Sequence, residues 1–421
     1  MQQPLVLGRR TYEYTYWAAL VALLLVGMGA LAYRLVVGLQ VTNLTSVVPW
    51  GFWISFYILF IGLSAGSFLL STLIYVFGLV RFERIGRLAV YSAIICLLMG
   101  MLFVLIDLGR VERFWHVFGQ VARGSVMWYE IMLYNVYATI LAVELWFLIR
   151  IDLIRLRDTS TGLAYAFYRA LALGSQTTDE PSRATDMKVV RTLGLIGLPT
   201  AVSVHGGTGA IFAVVKAVPF WYSPLLPIVF ITSALVSGAA LLLFFRSFFC
   251  RPEPGEEEFL SALAKLALGL LVLDWLMVVF ELLVGLYGNV PDNRAAIDAM
   301  ISGDKWWVFW VLQLGIGFVV PAVIIATKKS RAWLGLAGLA IVLGIVAVRW
   351  NIVVPGLTVP KLEGLTEAVH SSRIVAFYSP SVIEWLTTIG VLALFMLLLS
   401  LGSKLLPLQP AHSESVSAEE R

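Results

Sequence analysis

Long apolar blocks, each about the length of a membrane crossing, alternate with short polar intervals along the whole chain. A helix needs about 20 mostly apolar residues to cross a bilayer. Ten such blocks stand at 16–38, 51–80, 88–107, 128–149, 189–217, 225–249, 260–288, 306–326, 332–350 and 382–406. None shows the period-two alternation of a strand, and a membrane β-barrel does not read as continuous apolar runs. The pattern predicts an all-α, polytopic integral membrane protein of about ten transmembrane helices. The first block follows Arg9-Arg10 and contains Ala30-Leu31-Ala32, the outline of a secretory leader. It is too long for a leader's apolar core, however, and opens on Tyr12, Tyr14, Tyr16 and Trp17, an interfacial belt. It is read as a retained helix.

Composition sharpens this picture. The 421 residues are 60% hydrophobic and 13% charged, with a mean hydropathy of +0.89, whereas soluble domains are about a quarter charged. A water-soluble enzyme is excluded. Two cysteines and no C-x-x-C or C-x-x-C-H leave no iron–sulfur cluster or covalently attached haem in the chain. Of four histidines, only His205 lies in an apolar block. His116 and His370 fall in loops and His412 in the tail, so a bis-histidine haem is not expected. No Walker A, dinucleotide-binding or zinc motif is present, so no metal site is expected. A formal charge of +4 is too small and dispersed for nucleic acid.

With ten crossings both termini share a side. That side, with the loops at 81–87, 150–188, 250–259 and 327–331, carries most of the Lys and Arg, which places it in the cytoplasm. The opposite side then holds the loops 39–50, 107–127, 218–224, 289–305 and 351–381, whose aromatic, proline and paired-charge content predicts ordered caps with something docked on them. The polar, acidic tail from Gln409 reads as disordered.

Ionisable groups inside a bilayer cost on the order of 3 kcal/mol each and are functional candidates by default. Here they are Glu130 and Glu144 in the fourth block, His205 in the fifth, and Asp274 and Glu281 in the seventh. Asp274 and Glu281 are seven residues apart, two turns along one helix face. With Glu144 nearer the cytoplasm, the three carboxyls form a candidate proton path; paired structural groups are the alternative. His205 sits in Ser203-Val204-His205-Gly206-Gly207-Thr208-Gly209, where glycines admit a ligand close to the backbone. A neutral imidazole there can exchange a proton with a quinone oxygen, or it can simply pack. Gly62-Leu63-Ser64-Ala65-Gly66 is a helix-packing motif. Trp53 and Tyr57, four apart, share a face as interface anchors or as one wall of a pocket.

Several of these segments together resemble the NrfD-like polysulfide-reductase membrane subunit family. Trp50-Gly51-Phe52-Trp53 followed by Gly62-Leu63-Ser64-Ala65-Gly66-Ser67 is similar to the family's opening. The stretch from Asp107-Leu108-Gly109-Arg110 to Trp115-His116 matches its DLGRPERFWH signature, with Val111 in place of proline. Pro219-Phe220-Trp221-Tyr222-Ser223-Pro224-Leu225-Leu226-Pro227 is similar to its PFWHSPLLP segment, with Tyr222 in place of histidine. Arg349-Trp350-Asn351 with Pro355-Gly356, and Pro380-Ser381 through Glu384-Trp385, fit the ten-helix branch, which includes hydrogenase-linked subunits and the integral subunits of alternative complex III.

The resemblance implies two four-helix bundles with a flanking helix at each end: 1–48 a flanking helix, 49–224 the first bundle, 225–350 the second, 351–406 an outer loop and second flanking helix, and 407–421 a tail. It implies no redox cofactor within the chain. Quinone or quinol, menaquinone by expectation, would bind near the outer surface in the first bundle, around Trp53, Tyr57, Asp107, Arg110, Glu130 and His205. An iron–sulfur (ferredoxin-like) subunit would dock on the 107–127, 218–224 and 351–381 loops and relay electrons to or from a molybdopterin-type catalytic or cytochrome subunit.

The expected function is thus a quinone-reactive membrane subunit of a respiratory oxidoreductase in a prokaryotic cytoplasmic membrane, with catalysis shared among subunits. His205 with Asp107 or Glu130 would form an acid–base dyad, with the carboxylate orienting the imidazole. Arg110 would stabilise negative charge, and Asp274, Glu281 and Glu144 would carry protons. Two other classes stay open: an ion or small-solute transporter built on a repeated bundle, and a structural anchor.

Overall fold

The computed structural model describes residues 10–120, 122–362, 364–369, 371 and 373–409. Ten helices are long and apolar enough to cross a membrane: α1 (Arg10–Val37), α2 (Phe52–Tyr75), α3 (Gly86–Asp107), α4 (Val126–Thr159), α5 (Glu180–Ala213), α6 (Leu226–Phe249), α7 (Glu256–Tyr287), α8 (Val308–Thr327), α9 (Arg331–Val353) and α10 (Val382–Leu405). No strand occurs among the described residues. His370 and most of the tail expected to be disordered lie outside them.

α4 and α5 run well past the apolar blocks that predicted them, so much of the expected 150–188 loop is helical. A hydropathy window marks only the part of a helix that meets lipid, and a polar extension beyond the bilayer escapes it. The extension is held by a buried ion pair. Arg150 Nη2 lies 2.7 Å from the Asp186 carboxylate and donates to Ser182 Oγ at 2.6 Å. At the same end, Arg246 of α6 pairs with Glu253 and Glu256 at 2.9 and 2.8 Å.

Helices α2–α5 pack into one group and α6–α9 into another, and the groups meet where α2 and α5 lie on α6 and α9 touches α2. The packing motif of α2 makes this seam. A Cβ on Gly66 would overlap the Ala234 carbonyl oxygen, and one on Gly238 would strike the Gly66 backbone. Small residues replace apolar bulk here because lipid offers helices no hydrophobic drive to associate, and close backbone approach must supply the attraction. The flanking helices at the two ends of the chain meet in the fold. α1 and α10 pair with each other, their backbones in contact at Gly27 and Gly390, and α10 then packs on α3.

Candidate functional site

Ser125, whose side chain accepts from the Trp128 amide, caps the start of α4 and sets Glu130 on its second turn. Tyr134, one turn further on, points its hydroxyl at the same carboxylate. Three hydroxyls converge on Glu130 Oε1: Tyr134 donates at 2.5 Å, Tyr57 of α2 at 3.3 Å, and Thr208 of α5 also donates. The two tyrosine oxygens are 2.6 Å apart. All four side chains are buried. Hydrogen bonds to an ionised acceptor are about twice as strong as neutral ones, so this carboxylate is held in one geometry from three helices.

His205 lies one turn before Thr208 on the same face of α5 and is 1% exposed. Neither ring nitrogen has a hydrogen-bond partner. The imidazole sits 5.3 Å from the Phe230 ring, opposite Gly62. A Cβ at Gly62 would stand 3.2 Å from His205 Nε2 and 3.4 Å from Arg349 Nη2. The first glycine of the α2 motif thus leaves room for imidazole and guanidinium to share one space, whereas the second makes the seam. Arg349 of α9, wholly buried, donates to Ser233 Oγ at 2.9 Å and lies 4.8 Å over the Phe230 ring. Its Nε and Nη1 have no partner, and neither does Asp274 Oδ1; Asp274 is the charge opposed to Arg349. Buried polar atoms in folded proteins nearly always have a partner, so a cluster of orphans marks room for water or a ligand group.

Of the predicted site residues, Tyr57 and Glu130 meet directly, and His205 stands one helix turn along from their partner Thr208. The expected dyad does not form: no hydrogen bond joins His205 to Asp107 or Glu130; the hydroxyls occupy Glu130 Oε1, and the charge facing His205 is Arg349. Asp107 faces the flanking helices instead. Its neighbouring charges are Arg34 and Glu384, and Arg34 also donates to the Leu108 carbonyl. Trp53 is not hydrogen-bonded into the Glu130 cluster and donates to the Glu384 carbonyl at 3.4 Å. Arg110 is exposed and outside the cluster. Glu144 accepts from Ser71 at 3.4 Å with its other oxygen free. Asp274 and Glu281 are close enough to interact electrostatically.

Tyr134, Thr208 and Arg349 join the site without having been assigned a role in it from the sequence. Tyr134 follows Glu130 by four and Thr208 follows His205 by three, the helical spacings that share a face, and an arginine inside an apolar block is itself a signal.

Apart from Gly62–Ser67 in the middle of α2, segments that carry the family resemblance meet at one end of the molecule. Trp50 stacks on Trp221 at 5.9 Å, and Trp221 donates to the Ile352 carbonyl at 2.6 Å. Trp350 stacks on Tyr378 at 5.7 Å, and the Phe52 amide donates to the Tyr378 hydroxyl at 2.9 Å. Tyr378 in turn donates to Glu384, and burial together with that carboxylate pushes the phenol's pKa well up. Beside this cap the 111–119 segment exposes Phe114, Trp115 and Phe118.

Residues 40–361 match the family model described as polysulphide reductase, NrfD. The chain is 43% identical to a selenate reductase subunit of Mesobacillus selenatarsenatis over 93% of each chain. It is 27% identical to the Hdr-like menaquinol oxidoreductase integral membrane subunit of Archaeoglobus fulgidus over 96% of each. It is also 24% identical to the menaquinone reductase integral membrane subunit of Nitratidesulfovibrio vulgaris, over 91% of this chain and 89% of that one. With three quarters of its length matched and signature segments meeting in one cap, the chain belongs to the NrfD polysulphide reductase family.

Proposed function

We propose that this chain is the quinone-interacting membrane subunit of a respiratory oxidoreductase, and that the Tyr57–Glu130–Tyr134–Thr208 cluster with His205 handles the protons of the quinone reaction. The observation that carries the reading is a buried carboxylate gripped by three hydroxyls, one of them Thr208, which stands one helix turn from an imidazole whose two nitrogens are both unpartnered. The names of the relatives support it, since two of them are integral membrane subunits of enzymes that act on menaquinol or menaquinone.

Interconversion of quinone and quinol moves two electrons and two protons. Unpartnered, His205 is free to donate to or accept from a ring oxygen, and Thr208, bonded to Glu130 and one turn away, links it to the carboxylate. Glu130 accepts or returns a proton through the tyrosine and threonine hydroxyls, which hold the carboxyl in place in either protonation state. Tyr57 and Tyr134 hold the geometry and exclude water. Electrons reach or leave the site through a partner subunit with iron–sulfur clusters. That partner docks on the cap end, where exposed aromatic side chains stand beside Arg110 and Arg113; by the Lys and Arg distribution, this is the outer face, and both termini are cytoplasmic. Glu144, Asp274 and Glu281 carry protons from the cytoplasmic side, so turnover is electrogenic. The two helix groups act as separate units, the first holding the quinone site.

The test is the purified complex with Glu130→Gln, which keeps an acceptor for the hydroxyls and removes the acid. We expect quinone-linked turnover to fall about a hundredfold, with assembly and co-purifying quinone retained. Unchanged turnover in an assembled complex would overturn the assignment.

A further inference from the structure

A second place for a membrane-borne ligand lies in the other helix group. Between α7, α8, α9 and the 219–226 segment is a cavity of about 380 Å³, within the range of small-molecule sites. Its wall is mostly apolar, and the polar side chains in it include Glu281, Gln313, Asn351 and Asn293. Gln313 belongs to the π-helical stretch Val308–Val319 that opens α8. Wide helical turns of this kind are rare, and many occur at functional sites. Gln313 is buried and accepts from Asn351 Nδ2 at 2.7 Å, leaving its own amide N–H₂ and the Asn351 carbonyl without partners among the described residues. Nothing among them hydrogen-bonds or ion-pairs with the Glu281 carboxyl either. Two donors or acceptors of opposite kind and a carboxyl therefore converge on a greasy space.

The surroundings identify the guest. Phe280 and Val284 on the same stretch of α7 are 54% and 72% exposed at membrane depth, so the cavity is reached from lipid. No lysine or arginine lines it, which disfavours an anionic phosphate headgroup. The site asks for a flat or compact neutral head bearing carbonyl or hydroxyl oxygens, on a molecule that partitions into the bilayer. We propose that this cavity is a second quinone-binding site, separate from the Glu130 cluster. The choice of quinone over another neutral amphiphile rests on the function proposed above. The site is held open by Trp221, anchored to the Ile352 carbonyl, and closed over by the helix Pro291–Ile301, whose Ile297 side chain leaves only glycine's room at position 285.

The experiment is photolabelling of the intact complex with an azido-naphthoquinone carrying a short isoprenoid chain, followed by peptide mapping. Label is expected on two separate sets of peptides, one around 130–134 and 205–208 and one around 278–285 and 348–352, each competed by unlabelled quinone. Gln313→Leu should lower labelling of the second set about tenfold and leave the first unchanged. Glu281→Gln, a gentler change, should weaken it less. Label confined to the first set overturns the second site and leaves the proposed function standing. Label at neither set overturns both. Second-set label displaced by phospholipid but not by unlabelled quinone identifies a lipid seat and also overturns the proposal.

Discussion

Two buried polar clusters lie within a few helix turns of one another and are built on opposite plans. Around Glu130 one carboxylate oxygen receives three hydroxyl donors from three helices. Around His205, Arg349 and Asp274, by contrast, five buried nitrogen and oxygen atoms have no protein partner. The first arrangement holds a carboxyl in place and tolerates its change of protonation, because the hydroxyls can turn. The second spends desolvation energy without recovering it from protein contacts, and that is stable only if water or a ligand completes it. A preorganised acid beside an incomplete polar space is what proton exchange with a guest molecule needs.

The sharpest way to break this pairing is at the seam both clusters depend on. Gly66→Ala should drive a methyl into the Ala234 carbonyl and leave little assembled protein in the membrane, measured by detergent-stable yield. Gly62→Ala, one turn away on the same motif, should leave the yield near normal and lower turnover, since the atoms nearest its methyl belong to the His205 ring and the tip of Arg349. Equal yields for the two would undo the separation of seam from site.

The next effect is on coupling. Asp274→Asn should abolish the response of turnover to an imposed membrane potential while quinone stays bound; one charge against 100 mV is worth about 2.3 kcal/mol. Proteoliposomes with a potential-sensitive dye report it. A variant that loses thermal stability but keeps its response would make Asp274 only a counter-charge to Arg349.

His205→Ala should lower turnover about tenfold or more in a fully assembled complex, followed by steady-state quinone kinetics. Normal turnover would reassign His205 to packing. Smallest is Arg110→Glu. Being exposed and remote from both clusters, it should leave intrinsic chemistry alone and make retention of the partner subunit salt-sensitive, read by co-purification across an ionic-strength series.

How far the sequence foresaw these clusters follows from what a linear pattern can carry. All ten crossings were legible because lipid imposes apolar length on each helix separately. Glu130, His205 and Asp274 were legible because a lone ionisable group in such a helix is conspicuous. Their partners were not. Tyr134 and Thr208 are ordinary residues of an apolar helix until α2, α4 and α5 bring their hydroxyls together. The dyad of His205 with Asp107 or Glu130 failed for the same reason: spacing along the chain says which residues share a helix face, not which faces meet. Asp107 lies at the end of α3 facing the α1–α10 pair, whose contact through Gly27 and Gly390 no pattern announces.

The central claim, that Glu130 changes protonation as quinone changes redox state, is tested most directly by infrared difference spectroscopy of the complex between its quinone and quinol forms. The account predicts a carboxylic-acid C=O band that shifts or appears between the two states, moves on deuteration, and vanishes in Glu130→Gln. A difference spectrum with no carboxyl band, or one unchanged by that substitution, would contradict it.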